Sequence, residues 1–247
     1  MSRPPVAFAT GNRGKLEEAR RIFAAAGGLE TEGVALDLPE IQSLDLEEVL
    51  RAKGREAARR LRRPVIVEET GFEIDAFGGF PGPLVKWMLR AMGAEGMARA
   101  ALAAGAASGA GAGATARCAL MFLDAPGAED GRGAPATSGD AHGQGAGASS
   151  GAPEPGEVRE VVAEGVARGR LVLPPRGEGG FGWDPVFRPD GEERTFGELS
   201  GEEKDRIGHR GRAWRALAAH LAGPTPAPGP GPGRPPGAPG SRRRRRW

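Results

Sequence analysis

Several short groups of residues have types and spacings suited to chemistry on phosphates and bases. Thr10-Gly11-Asn12-Arg13-Gly14-Lys15 combines two glycines with a lysine. Glycines let a backbone approach a phosphate, and a helix starting there would offer free N–H groups to an anion. The segment is not a P-loop, because Gly11 and Gly14-Lys15 are too close and no Ser or Thr follows the lysine. Taken alone it also reads as a plain turn opening a helix. Glu40 follows Leu38-Pro39, and Glu68-Glu69 follow the apolar run Val65-Ile66-Val67. Carboxylates at the mouth of a buried strand suit Mg²⁺ or a general base, and they equally describe solvated loop acids. Phe181-Gly182-Trp183-Asp184 sets two aromatics beside a carboxylate. Aromatic faces stack on bases and an acceptor can read a base N–H; a core-lining turn is the plainer alternative. Lys204, His209 and Arg210 are a further basic group at the last helix and its break, where a His–Arg pair also reads as plain surface.

The elements that must hold these groups can be read from periodicity. Val6 to Thr10 reads as a strand, followed from Lys15 by an amphipathic helix with Leu16, Ala19, Ile22, Phe23 and Ala26 on one face. A second helix is expected from Asp45, with Glu48 completing a capping box and Leu46, Val49, Leu50, Ala57 and Leu61 buried. Val65 to Val67 is a short central strand, and Gly78 to Pro83 a turn before a helix over Leu84 to Met92. Ala116 to Leu123 and Val158 to Ala167 are two further strands, and Leu171 to Leu173 a third. Phe181 to Phe187 is an aromatic loop. Ser200 and Glu203 form another capping box, opening a helix that Gly208 interrupts and that resumes from Gly211. The alternation implies an α/β fold with a mixed sheet.

Composition limits where that fold can lie. Gly (42) and Pro (22) make up about a quarter of the 247 residues, a level associated with low complexity. They concentrate from about Ala103 to Gly156, apart from the apolar run Cys118 to Leu123, and after Gly223, where little apolar surface is available to offset ordering entropy. The expected unit is residues 1–222, carrying a low-complexity Gly/Ala insert at about 124–156, with a Pro/Gly/Arg-rich tail over 223–247. The tail holds Arg234 and Arg242 to Arg246 and no acid, so the formal +2 of the whole chain hides a body near −4. Such a body would hold a polyanion by local lysines and amides rather than a broad positive field. Cys118 is the single cysteine, which excludes a disulfide framework and a Cys-based zinc site. Without an apolar run near 18 residues or a signal peptide, a cytoplasmic protein is expected, with no membrane partner.

Taken together and in order, the blocks resemble the inosine/xanthosine triphosphate pyrophosphatase family. The blocks that carry the resemblance are Ala9 to Asn12 with Lys15, Leu38-Pro39-Glu40, and Val67 to Gly71. They continue with Gly79 to Pro83 with Lys86-Trp87, Gly180 to Phe187, and Thr195-Phe196 with Glu203-Lys204 and His209-Arg210. The resemblance covers almost all of the chain outside the insert and tail. It implies an elongated two-lobed domain, a mixed central sheet flanked by helices, and an active site in the cleft between the lobes. It further implies that Thr10, Gly11, Asn12, Lys15, Lys53, Lys86 and Lys204 bind the triphosphate of a purine nucleotide. By the same resemblance Glu40 and Glu69 hold Mg²⁺, with Glu69 also acting on the attacking water. Phe181 would stack on the purine, and Gly182, Trp183, Asp184, His209 and Arg210 would line the base pocket. The family is commonly homodimeric.

Two positions depart from the family pattern. Glu69 stands where Asp is usual, and Gly208 where a Ser usually precedes the His-Arg pair. Glu69 keeps alive the alternative of a purine nucleotide binder without turnover. The arginine tail motivates a second, nucleic-acid contact, against a plain solvated extension. A related septum-inhibitor-type pyrophosphatase for modified pyrimidine nucleotides is disfavoured by the Phe181 to Asp184 block.

Overall fold

A computed structural model describes residues 5–25, 30–109, 111–124 and 159–222. The insert, apart from Asp124, and the tail lie outside the described residues. The chain runs β1 (Val6–Ala9), α1 (Arg13–Ala25), β2 (Thr31–Val34), α2 (Leu46–Leu61), β3 (Val65–Ile74), β4 (Pro81–Gly82) and α3 (Val85–Ser108). It continues with β5 (Gly113–Asp124), β6 (Arg159–Leu171), β7 (Phe187–Pro189), α4 (Gly201–Ile207) and α5 (His209–Ala222). Seven strands form one mixed sheet in the order β2-β1-β3-β5-β6-β7, with β4 paired to β3 off this path. β1 is parallel to β2 and β3, and the remaining pairings are antiparallel.

Alternation along β3 organises the core, because successive side chains point to opposite faces. Ile66 joins Phe8, Phe23, Leu120, Phe122 and Trp214 in the layer under α1 and α5. Val65 and Val67 join Leu50, Ala57 and Met121 under α2. Beyond them Phe72 and Ile74 enter a third cluster with Met97, Trp183, Phe187 and Phe196. The sheet is thus covered differently at its two ends. β3 meets β1 only at Val65 and Ile66, and meets β4 only at Phe72 and Glu73. Between these contacts its edge has no strand beside it among the described residues, and a cleft opens there, at the carboxyl ends of the parallel strands.

The elements depart from expectation in informative places. β3 is ten residues long, so Glu68 and Glu69 lie inside a strand rather than in the loop after it. β5 pairs with it from Val65 to Ile74 and carries it past the acids. The helix expected to end at Met92 does break there: Gly93 has φ 70° and ψ 173°, a backbone that disfavours other residues. It then restarts and reaches Ser108, so the Gly/Ala-rich stretch is ordered beyond Ala103, with Ala101 and Gly105 buried. Alanine is the best helix former, which composition alone had obscured. No strand forms at Leu171 to Leu173 beyond the end of β6; the strand beside β6 is instead β7, which begins at Phe187. α5 resumes at His209, two residues earlier than expected.

The two capping predictions also separate. Ser200 and Glu203 make the full reciprocal box at α4. At α2, Asp45 accepts from the Glu47 and Glu48 N–H groups, but Glu48 takes the Ser43 hydroxyl at 2.6 Å. Ser43 Oγ in turn accepts the Asp45 N–H at 3.0 Å, so the box is relayed through a third residue.

Candidate active site

The cleft encloses about 640 Å³ and is lined by the β1–α1 loop, α2, the β3 edge, the start of α3 and the Phe181 loop. This is the size range of a small-ligand site. The β1–α1 loop ends in a cap: Lys15 N–H donates to Asn12 Oδ1 at 3.2 Å, and Asn12 N–H to Thr10 Oγ1 at 3.1 Å. Capping of this kind is worth ~1 kcal/mol and fixes the angle at which α1 points its N-terminus at the cleft.

Because Glu68 and Glu69 alternate, they build two separate charge systems. Glu68 lies on the face under α1 and α5, almost fully buried. Its Oε1 is 3.0 Å from Lys15 Nζ, and Arg210 Nε donates to both its oxygens at 3.1 and 3.2 Å. Burial pushes its carboxyl up, but Arg210 and Lys15 outweigh this and bring it down to about 2. Arg210 continues the chain to Glu18 at 2.6 Å, and Lys204 lies 3.7 Å from Glu18 and 2.7 Å from Asp184. Burial lowers the Arg210 pKa, and Glu68 and Glu18 more than reverse it, keeping the guanidinium charged.

On the α2 face, Glu69 Oε2 meets Lys53 Nζ at 2.5 Å. Lys53 also lies 3.6 Å from Glu40, and Lys86 reaches Glu40 at 2.9 Å. Burial would lower the Lys53 pKa, but Glu69 and Glu40 raise it above its ordinary value. Burial likewise raises Glu40, and Lys86 and Lys53 reverse that to a net lowering.

Phe181 forms the remaining wall. Its ring centre is 4.8 Å from Lys204 Nζ and 5.2 Å from Arg210 Cζ, so it covers both cations. Asp184 Oδ2 accepts the Phe181 N–H at 2.7 Å and the Lys204 ammonium at 2.7 Å, fixing the loop. Gly180 makes that possible: its φ is 74°, and a Cβ there would stand 2.1 Å from Asp184 Oδ2. Behind the loop, His209 sits between Trp183 and Phe196 with ring centroids 6.1 and 6.0 Å away. Its burial, then Arg210 and Lys204, push its pKa well below 6.5, so the ring is neutral. Both its ring nitrogens and Trp183 Nε1 are buried and have no hydrogen-bond partner among the described residues.

Of the residues singled out in the sequence, Thr10, Gly11, Asn12, Lys15, Glu40, Lys53, Glu69, Lys86, Phe181, Gly182, Trp183 and Arg210 line the cleft. Asp184, Lys204 and His209 do not reach its surface; they lie beneath the Phe181 loop. Sequence reasoning missed Glu18, which falls one turn beyond Lys15 on the same helix face, and grouped Glu68 with Glu69 as a candidate for metal or proton chemistry, whereas its oxygens are held by Lys15 and Arg210. Gly208 also acquires a local reason: a Cβ there would come within 2.5 Å of the Lys204 carbonyl.

The cleft of this open mixed sheet gathers lysines together with the carboxylates of Glu40 and Glu69, side chains of the kinds that pair with phosphates and with hard cations. The model of the Ham1 family matches residues 6–220, and the chain belongs to that family. It is 40% identical over 213 residues to the dITP/XTP pyrophosphatase of Methanopyrus kandleri, covering 86% of this chain and 94% of that one. It is 36% identical over 219 residues to inosine triphosphate pyrophosphatase 2 of Trypanosoma cruzi, covering 87% and 91%. The solved structure of a HAM1 protein from Coxiella burnetii shares the fold, with a TM-score of 0.64 at 23% identity over 90% of this chain and 99% of that one.

Proposed function

We propose that the chain hydrolyses deaminated purine nucleoside triphosphates (ITP, dITP and XTP) to the monophosphate and pyrophosphate. The observation that carries the reading is the cleft itself. Lys15, Lys53 and Lys86 share one wall system with Glu40 and Glu69, in a chain 40% identical to an enzyme named for this reaction.

Glu40 and Glu69 supply hard carboxylate oxygens that face a common point, since Lys53 touches both. No three metal-ligating side chains converge among the described residues. Two carboxylates suit Mg²⁺, which commonly takes one or two of them and completes its shell with phosphates and water. When bound it would neutralise and orient the phosphates. Lys15 and the N-terminus of α1 would hold the phosphate chain, and Lys53 and Lys86 would balance charge on the departing pyrophosphate. Glu69 would orient a water on the α-phosphorus and accept its proton. Arg210, which lies beneath the Phe181 ring and lines the cleft, would offer a donor to a 6-oxo group; adenine would present an amino group there and leave that donor unpaired. The reading extends to Mg²⁺ as the cation, a cytoplasmic setting, a homodimer, and one catalytic unit over residues 1–222.

Hydrolysis of ITP in ¹⁸O-water tests the route. Label in IMP, with pyrophosphate unlabelled and in equal amount, is the expected result. Label in pyrophosphate, or release of IDP and phosphate, would exclude attack at the α-phosphorus. Phe181→Ala should raise KM for ITP by ~10- to 100-fold, since base–aromatic stacking is worth ~1–3 kcal/mol. Phe181 is 38% exposed, so thermal stability should change little; an unchanged KM would remove Phe181 from the base site.

A further inference from the structure

Lys53 Nζ is ringed by oxygens: Glu69 Oε2 at 2.5 Å, the Glu68 carbonyl at 3.3 Å and Glu40 Oε1 at 3.6 Å. The ammonium therefore stands where the two carboxylates converge. Glu40 is closed from its other side by Lys86. Within this group the two lysines cancel the two carboxylates. A divalent cation arriving alone would leave two positive charges uncompensated in a part-buried cleft, where such an excess is costly. The same cation arriving with a triphosphate brings the missing negative charge, and gives a displaced Lys53 a new partner in the phosphates.

We infer that Lys53 is a resident counter-ion that closes the Glu40–Glu69 pair until nucleotide arrives, so that cation and triphosphate bind cooperatively rather than cation first. The inference rests on the pyrophosphatase reading, because it takes the triphosphate as the ligand that releases Lys53. It makes Lys53 a positioning residue that sets the order of assembly, beyond any contact it makes with phosphate. Linkage requires that nucleotide tighten cation binding by the same factor as cation tightens nucleotide binding.

Mn²⁺ binding to the purified full-length chain, followed by the paramagnetic signal of free Mn²⁺, tests this without turnover. It is measured alone and with the non-hydrolysable α,β-methylene analogue of ITP. In the wild type the analogue should tighten Mn²⁺ binding by ~10-fold or more, within the usual range of such couplings. Lys53→Met should bind Mn²⁺ alone ~10-fold more tightly than the wild type, and the gain from the analogue should largely disappear. Lys53→Gln, which keeps a polar side chain of similar reach, should behave likewise and guards against a folding defect in the Met variant. Equal wild-type Mn²⁺ affinity with and without the analogue overturns the inference, whatever the variants do. So does a folded Lys53 variant whose affinity for Mn²⁺ alone is unchanged. Pyrophosphate release from ITP by the same wild-type preparation separates the outcomes. Release with uncoupled Mn²⁺ binding removes only the counter-ion role, whereas no release removes the pyrophosphatase reading beneath it.

Discussion

Glu69→Gln is expected to lower pyrophosphate release from ITP by ~10³-fold or more, with KM changed only a few-fold. The substitution keeps the shape of the side chain. It removes the negative oxygen that would accept the water's proton, an effect of ~10²–10⁴-fold by itself, and it weakens the carboxylate pair facing Lys53. Glu69→Asp is the informative companion. It retains the charge and shortens the side chain by one methylene, to the residue that the family resemblance leads one to expect there. Activity within ~10-fold of the wild type would show that the cleft accepts either length, although displacements of ~1 Å can cost more than that. A Gln variant that still turns over at a tenth of the wild-type rate would remove Glu69 from the chemistry.

Glu68→Gln should be the most destabilising single change in the site. Glu68 is 4% exposed and holds both Lys15 and Arg210. Arg210 would keep Glu18 but lose its two-oxygen partner while remaining buried. Removing one member of a buried pair typically costs ~3–5 kcal/mol; for a domain of this size that corresponds to roughly 10 °C in Tm. The pH dependence follows from the same contacts. The folded pKa of Glu68, about 2, lies below its ordinary 4.5. Its stabilisation is therefore complete above about pH 5 and fades as pH falls toward 2. Denaturant melts at pH 6 and pH 3 should show the difference between wild type and Glu68→Gln shrinking at the lower pH. A difference that stays constant would mean that Glu68 is not held ionised by its partners.

Much of this arrangement was legible in the sequence, for physical reasons that differ from element to element. α1 and α2 carry apolar periodicity beside polar faces: Ala19, Ile22, Phe23, Leu46, Val49, Leu50 and Ala57 are buried as the stripes put them, Leu16 and Leu61 are only partly so, and Ala26 lies outside the described residues. The β1–α1 loop and the Phe181 loop are marked by glycines beside a lysine and beside aromatics, a signal that a plain turn shares until the other blocks are set next to it. β3 was harder. Its apolar run stops at Val67, so the acids looked like the start of a loop. The signal that would have corrected this is the alternation of Thr70, Phe72 and Ile74 with Gly71 and Glu73, a period of two. That period also separates Glu68 from Glu69, giving one to Arg210 and the other to Lys53, a distinction that adjacency in sequence conceals.

Other features depend on contacts distant in sequence. Nothing local says that Asp184 spends Oδ2 on the Phe181 N–H and on Lys204, or that His209 lies between Trp183 and Phe196. A basic residue beside an arginine reads as surface until the packing that buries it is known. The end of α3, from Ala103 to Ser108, failed in the opposite sense. Low complexity suggested too little apolar surface, whereas alanine's helix propensity and a small buried face suffice once the sheet is present.

The central claim, that this cleft cleaves deaminated purine triphosphates, is tested most directly by pyrophosphate release with Mg²⁺ across ITP, XTP, dITP, ATP, GTP and CTP. Release from ITP, XTP and dITP should be rapid, with ATP and CTP slower by up to ~10⁴-fold in kcat/KM, the discrimination available to a site with committed donors. No release from any of them while ITP still binds would contradict it, and would leave a purine nucleotide binder in which Glu69 cannot do the chemistry.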